Sequence, residues 1–513
     1  MNQTNAATGH KVFLEEPLRV EDVERAASPL LVVTGPKNID AVVRCHEFVT
    51  RQIDAGVPIY GITTGYGALV GHASAQDSTE RSRGLIDFLT VGQGEPLDPG
   101  VVRGMLLARL AGLSKGRSGV SLTVVDALRA FLATPLAPVV PRHGSVGASG
   151  DLAPLAHAVQ ALSGRGEVFL DGRRTAARTA LESHGLAPME LSGRDALALV
   201  NGTSLTASAG SLALARAKRA VDTSLILSAA LAEVLGAGAD MADDDLTAAT
   251  GHPEVHSVAA RLRQLLSGGF VSGERPLQEA YSLRCVPQLV GGAANVVQWA
   301  TGVVENDLNG ISDNPLFFPE LDKVTHGGNF FGQSVAFAAD AVTNALTQLA
   351  NLAERQLDFL VDPHRNGGLP PMLTDEPGRR HGMTGLQLCA TSTVMAMRRE
   401  CVPAGMQSIP TNGHNQDVVP FGNEAALTAL RQAERLEWVH GMLALALFQA
   451  FHLTGRSATA QGGCLLVSAL SGRVAPVHAD RPLDEDVRVA GTALYEAVRC
   501  EPNQFLGTGH EAA

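Results

Sequence analysis

The chain has 513 residues, length for about three average domains or for one large helical unit. Forty Lys and Arg against fifty-two Asp and Glu leave a net charge of −12, which argues against non-specific binding to nucleic acid or anionic membrane. Hydrophobic residues at 45% and charged ones at 18% exclude disorder for the bulk of the chain, and 4% aromatics favour close-packed helices over sheet.

The opening stretch to Ala27 has no positive segment followed by an apolar run, so no secretory leader is expected. The first two hundred residues are punctuated by Gly and Pro, as short helices, loops and a little strand require. From Asn201 the texture changes. Helix formers run from 205 to 235, a second run follows Pro287 through LVGGAANVVQWATGVVENDL, and a third extends from near Phe331 to Asp362. Such lengths and all-round apolar character predict helices buried in a bundle or between subunits. The expected organisation is therefore an N-terminal region (1–200), a central bundle of long helices (201–455) and a C-terminal helical tail (456–513).

Six cysteines, Cys45, Cys285, Cys389, Cys401, Cys464 and Cys500, lie far apart with no CxxC pair, which predicts reduced and mostly buried thiols in a cytoplasmic protein. The most apolar window, Leu225 to Ala239, is interrupted by Glu233 and predicts no membrane span. His252-Pro253-Glu254-Val255-His256 resembles a zinc motif only superficially: the Glu is displaced, and Pro253 disrupts the helix that would align both histidines. No metal is expected.

Polar residues gather where the apolar helices begin. Asn201-Gly202-Thr203-Ser204, Tyr281-Ser282-Leu283-Arg284-Cys285 and Gly327-Gly328-Asn329-Phe330 each precede a long run, and GSVGASGD (144–151) precedes LAPLAHAVQAL. Helix N-termini present unpaired N–H groups and partial positive charge, so converging starts would suit a carboxylate or a developing anion. Two of the four tyrosines, Tyr60 and Tyr66, sit in the glycine-rich segment IYGITTGYGALV, where Gly61, Gly65 and Gly67 allow loop closure. A tyrosine there could serve as a general base if positive surroundings lowered its pKa from about 10.

The sharpest signal is Gly147-Ala148-Ser149-Gly150-Asp151. It is no phosphate loop, because no Lys-Ser/Thr follows, and no nucleophile elbow, because Asp151 stands two residues after Ser149. Together with IYGITTGYG and NGTS, this segment resembles the aromatic amino-acid ammonia-lyases and aminomutases. Further matches are 278–285 (QEAYSLRC), Ser312-Asp313-Asn314-Pro315-Leu316, HGGNF (326–330) and Asn415-Gln416-Asp417, so the resemblance runs from about residue 15 to 425.

The resemblance implies a mainly α-helical, histidase-like fold and a homotetramer whose active sites draw on neighbouring subunits. It also implies a self-derived prosthetic group, 4-methylideneimidazole-5-one (MIO), made when the Gly150 nitrogen attacks the Ala148 carbonyl and Ser149 loses water. That ring closure explains the small residues and a compressed turn. Tyr60 then corresponds to the base that removes a β-proton, and Arg284 to the partner of the substrate carboxylate. Asn201, Gln278 and Tyr281 correspond to orienting residues, and Phe330 and Gln416 to pocket-lining ones.

In this family, selectivity tracks a dipeptide that here is Phe88-Leu89. Histidine lyases typically carry Ser-His there and tyrosine lyases often a second-position His, whereas Phe-Leu resembles phenylalanine lyases. Leu89 offers no hydrogen bond, so a phenol or imidazole against it would lose about 1–3 kcal/mol. L-Phenylalanine is the expected substrate. Asn412 matches some aminomutases rather than plant lyases, so a phenylalanine 2,3-aminomutase is the alternative, followed by a lyase for tyrosine or histidine. The flexible GSSxMPxKxN loop of the aspartase and fumarase enzymes is absent.

Overall fold

The computed structural model describes residues 10–72 and 77–500, most of them in helices. Compactness divides the chain into two units. The first holds the described residues up to Ala215 with Thr301–Asp340 and Pro403–Leu427; the second holds Arg216–Ala300, Ala341–Val402 and the described residues from Thr428. Each is assembled from separate stretches, whereas the sequence suggested three consecutive regions.

In the first unit, β1 (His10–Phe13) pairs in parallel with β2 (Leu30–Val33). Helix α1 (Pro36–Asp54) begins on a proline, whose missing N–H costs nothing in a first turn. Its buried residues Cys45, Phe48 and Val49 form a core cluster with Ile59, Ile62 and Phe317. Because Ile59 and Ile62 are both buried, the residues between them, Tyr60 and Gly61, are held at the edge of this core. Helix α2 (Ser78–Leu89) is capped by Asp77, which accepts the N–H groups of Thr79 at 2.7 Å and Glu80 at 3.0 Å, and it ends on Phe88 and Leu89.

Helix α3 (Pro99–Leu113) is buried along almost its whole length. Arg103 on it is 1% exposed, and its guanidinium donates to five main-chain carbonyls: Ala26, Ser28, Leu132, Thr134 and Leu136. Burial lowers its pKa to about 10, which leaves it charged at neutral pH. One side chain thus satisfies carbonyls that would otherwise be buried without donors. Small sheets complete the unit: β3 (Gln93–Pro96) pairs with β5 (Pro141–His143), β4 (Ala137–Pro138) with β6 (Glu167–Leu170), β6 in turn with β7 (Arg173–Ala176), and β8 (Leu316–Phe318) with β9 (Lys323–Thr325). Helices α4 (Leu152–Leu162) and α5 (Asp195–Val200) flank the residues of most chemical interest.

The long helices are α6 (Ser204–Leu235), α7 (Val286–Leu308), α8 (Gln333–Val361) and α9 (Gly422–Thr454). The first three start within about two residues of expectation; α9, of 33 residues, was not singled out in the sequence. The stretch Asp195–Leu235 is long and apolar enough to cross a membrane by length and composition, against the expectation from the 225–239 window, and 94% of its apolar window is buried inside the protein. In the second unit His440 bonds both Ser224 Oγ and the Tyr495 hydroxyl at 3.1 Å, and burial pushes its pKa down to about 3. Tyr495 is therefore a core residue with a neutral partner.

The cysteine expectation needs correcting. Among the described side chains only Cys45 is buried, its thiol pushed up to about 11 by burial, while Cys389 and Cys464 are exposed. The Cys500 side chain lies outside the described residues.

Arg103→Met should lower unfolding free energy by at least about 3 kcal/mol, since several carbonyls lose their donor together. The check is a shift of the urea midpoint at unchanged slope.

Candidate active site

Ala148, Ser149 and Gly150 form a tight turn between β5 and α4, with Ala148 and Gly150 in bridge contact across it. Gly150 has φ +69°, and a Cβ there would lie 2.3 Å from the main chain of Gly202. Only glycine fits both demands. The next amide, Asp151 N–H, donates to the Gly202 carbonyl at 2.7 Å. The Asp151 carboxyl accepts from Thr206 N at 2.9 Å, Thr206 Oγ1 at 3.1 Å and Ser145 Oγ at 3.2 Å. Burial still raises its pKa to about 6, the donors only partly opposing the desolvation.

Ser149 reaches an open cavity of about 1090 Å³ whose described lining residues all belong to the first unit. Gln416 Nε2 donates to Ser149 Oγ at 2.9 Å, and Gln416 Oε1 accepts from Thr411 Oγ1 at 2.6 Å, which orients the amide. Tyr60 lines the same space, its phenol oxygen accepting the Gly67 N–H at 2.8 Å. The group touching that oxygen is thus a main-chain amide donor. The Tyr66 ring lies edge-on to Tyr60 at 6.4 Å and 6.2 Å from Phe88, so the glycine loop packs on the end of α2. Phe88, Leu89, Asn201 and Phe330 also face the cavity.

Asn201 donates from Nδ2 to the Asn314 carbonyl at 2.9 Å, while its buried Oδ1 has no hydrogen-bond partner among the described residues. Beneath it, Arg194 pairs with Asp313 at 2.8 Å and donates to the Asn314 carbonyl at 2.8 Å; Arg109 approaches the same carboxylate at 3.5 Å. All three are almost wholly buried. Two guanidiniums sharing one carboxylate leave a net positive charge, so side chains add to any helix-terminus field.

Three of the four helix starts singled out in the sequence lie in the first unit, linked by Asp151 to Gly202, Asn201 to Asn314, and Gly327 N–H to Asn314 Oδ1 at 2.8 Å. The fourth lies in the second unit. Gln278, Tyr281 and Arg284 belong to the second unit and do not line the cavity; Tyr281 is 71% exposed. They are grouped with one another: the Arg284 guanidinium lies over the Tyr281 ring at 4.7 Å and donates to Gln278 Oε1. Tyr66, Leu152, Leu197 and Asn314 line the cavity without having been expected to, although Tyr66 shares the loop of Tyr60 and Asn314 lies in a matched motif. Asn412 lines it too, its Oδ1 accepting from Ala68 N at 3.4 Å. The zinc-like segment does something else, with His256 bonded to Asp244 at 2.9 Å.

A mainly helical frame that confines an Ala-Ser-Gly turn, a loop tyrosine and carboxamide side chains in one cavity defines a class of non-hydrolytic carbon–nitrogen lyases. The comparisons name the family. Residues 18–471 match the model of the aromatic amino acid lyases, and the chain belongs to that family. It is 37% identical to a histidine ammonia-lyase of Symbiobacterium thermophilum over 90% of this chain and 92% of the relative. Among solved structures it resembles a tyrosine aminomutase of Streptomyces globisporus (TM-score 0.90, 33% identity, 95% and 97% of the two chains). It also resembles a phenylalanine aminomutase of Pantoea agglomerans (TM-score 0.88, 28% identity, 94% and 99% covered). The chain is an ammonia-lyase-family enzyme.

A second buried carboxyl gives a pH test. Asp307 accepts from Thr203 Oγ1 at 2.7 Å, and burial raises its pKa to about 6. A carboxyl raised on folding contributes stability that is complete below its unfolded value near 4 and lost as pH climbs through about 6. Asp307→Asn keeps an acceptor for Thr203 without the titration, so the fall in melting temperature between pH 5 and pH 7 should shrink relative to wild type. An undiminished fall would contradict the raised carboxyl.

Proposed function

We propose that this chain eliminates ammonia from an aromatic L-amino acid, with L-phenylalanine converted to trans-cinnamate as the preferred reaction. The observation that carries the reading is the Ala148-Ser149-Gly150 turn opening, at Ser149, into the cavity that Tyr60 lines. These residues fit the self-derived MIO group: Gly150 is held at φ +69° in a turn with no room for a side chain, and Ser149 Oγ is hydrogen-bonded. Once formed, that group supplies an electrophile that makes the substrate amine a competent leaving group.

The chain's own residues do the rest. Tyr60 takes the β-proton onto its phenol oxygen, which the Gly67 N–H holds in place by a hydrogen bond. The C–H electrons form the new double bond as the C–N bond breaks. The unpartnered Asn201 Oδ1 is an acceptor for an N–H of the substrate amine, and Gln416 and Phe330 shape the wall. Gln278, Tyr281 and Arg284, already clustered, complete a neighbouring subunit's site in a cytoplasmic homotetramer, with Arg284 on the carboxylate.

Ring selectivity is read from Phe88 and Leu89, two cavity-lining residues with hydrocarbon side chains. A second reading, histidine as substrate, is favoured by relatives of 35–37% identity named histidine ammonia-lyases. Return of ammonia to the β-carbon is favoured by Asn412 at the cavity and by the aminomutase structures. Parallel incubation with L-phenylalanine, L-tyrosine and L-histidine, following each unsaturated acid and β-phenylalanine, separates these readings. Urocanate as the main product would replace the phenylalanine assignment.

Ser149→Ala should abolish turnover with the fold intact, and the dehydration seen in the intact mass of the wild type should disappear; a variant that still turns over would refute the prosthetic group. Leu89→His should raise kcat/KM for tyrosine relative to phenylalanine by about 10-fold or more, the range expected when one buried hydrogen bond is restored. An unchanged ratio would show that ring recognition lies elsewhere.

A further inference from the structure

The main-chain amide of Tyr60 donates to Nε2 of His326 at 3.2 Å, across 266 residues of sequence. A ring nitrogen accepts a hydrogen bond only while it carries no proton, so this contact requires a neutral imidazole with its hydrogen on Nδ1. Protonation would make both nitrogens donors and set an N–H against an N–H. The neighbouring amide, Gly327 N–H, donates to Asn314 Oδ1 at 2.8 Å, and the Asn314 carbonyl receives Asn201 Nδ2. The segment 326–327 therefore ties the Tyr60 loop to the peptide that holds Asn201.

His326 is exposed and does not line the cavity, so neither core packing nor substrate contact explains it. The charged group facing it is Arg194, just ahead of α5 and paired with Asp313; the titratable group on the loop it meets is Tyr60. We propose that His326 is a positioning residue for Tyr60: its neutral Nε2 holds the main chain of the base in place, and protonation of the ring releases the loop. The proposal rests on Tyr60 being the base. Partial burial, and then Arg194, hold the imidazole below its ordinary value, which keeps the ring neutral at pH 7 and puts release on the acid side.

The full-length enzyme tests this with His326→Ala, which removes the acceptor, and His326→Gln, whose Oε1 offers a non-titrating acceptor near the place of Nε2. His326→Ala should lower kcat about 10- to 100-fold, the cost of a misplaced catalytic group, with KM changed less than kcat. His326→Gln should restore most of the rate and lose the acid limb that His326 adds to the wild-type kcat profile. Hydrogen exchange on a peptide spanning Tyr60, normalised to intrinsic rates, reads the bond itself. Protection should fall on acidification in wild type, be absent in His326→Ala and be pH-independent in His326→Gln. Wild-type kcat and pH profile in His326→Ala, or unchanged Tyr60 protection, would overturn the proposal. Tyr60→Phe keeps the two readings apart: if it stays active, the base assignment fails; if it is dead while His326→Ala is unaffected, only the positioning role fails.

Discussion

The contact between Gly150 and Gly202 is the constraint on which the first unit's cavity depends. Two main chains some fifty residues apart approach so closely that a methyl group on Gly150 would sit 2.3 Å from the Gly202 carbonyl carbon. A Cβ on Gly202 would in turn lie 2.1 Å from an Arg109 nitrogen. Such proximity survives because the polar groups brought along are satisfied: Asp151 N–H meets the Gly202 carbonyl, and the Asp151 carboxyl meets the first turn of α6 through Thr206. The starts of α4 and α6 are thereby locked together, and the Ala-Ser-Gly turn is left little freedom to relax. Desolvating Asp151 is the cost, visible as a carboxyl raised to about 6.

Charge around the cavity follows from the same economy of donors. Arg194 and Arg109 are anchored through Asp313 and through carbonyls of Ala198, Ser312 and Asn314, so their positions are set by main chain as much as by ion pairing. One carboxylate for two guanidiniums leaves positive charge beneath Asn201 and beside His326. Ion pairs of this kind contribute little net stability once desolvation is counted. Their effect is better sought in the field they impose on anionic groups entering the cavity.

Much of this was legible in the sequence, for physical reasons that can be named. Long runs of Ala and Leu with few charges admit only buried helices, and α6 begins at Ser204, one residue from the expected 205. The Ala148-Ser149-Gly150 turn stood out because its residue types are chemically restrictive. What escaped depends on long-range proximity. Nothing local in HGGNF says that His326 will meet Tyr60, and β3 and β4 pair with strands distant in the sequence, unlike the local hairpins β6–β7 and β8–β9. Asp151 looked like part of a turn until burial showed it holding α6. Cys389 and Cys464 looked like core thiols because apolar helices surround them in sequence, but helix faces that one chain leaves open cannot be told from closed ones by composition.

Family membership and ring choice depend on different numbers of residues. Identity of 37% over nine-tenths of the chain is ample to preserve the fold. Ring discrimination, under the reading proposed for Phe88 and Leu89, would reside in two side chains at the end of a single capped helix. A substitution at one such position alters the balance of a buried hydrogen bond without disturbing α2, whose cap at Asp77 lies a full helix length away. Similarity to histidine ammonia-lyases and a carbon-lined ring wall are therefore compatible. The first reports the shared frame and its elimination chemistry; the second reports the few atoms that meet the far end of the substrate.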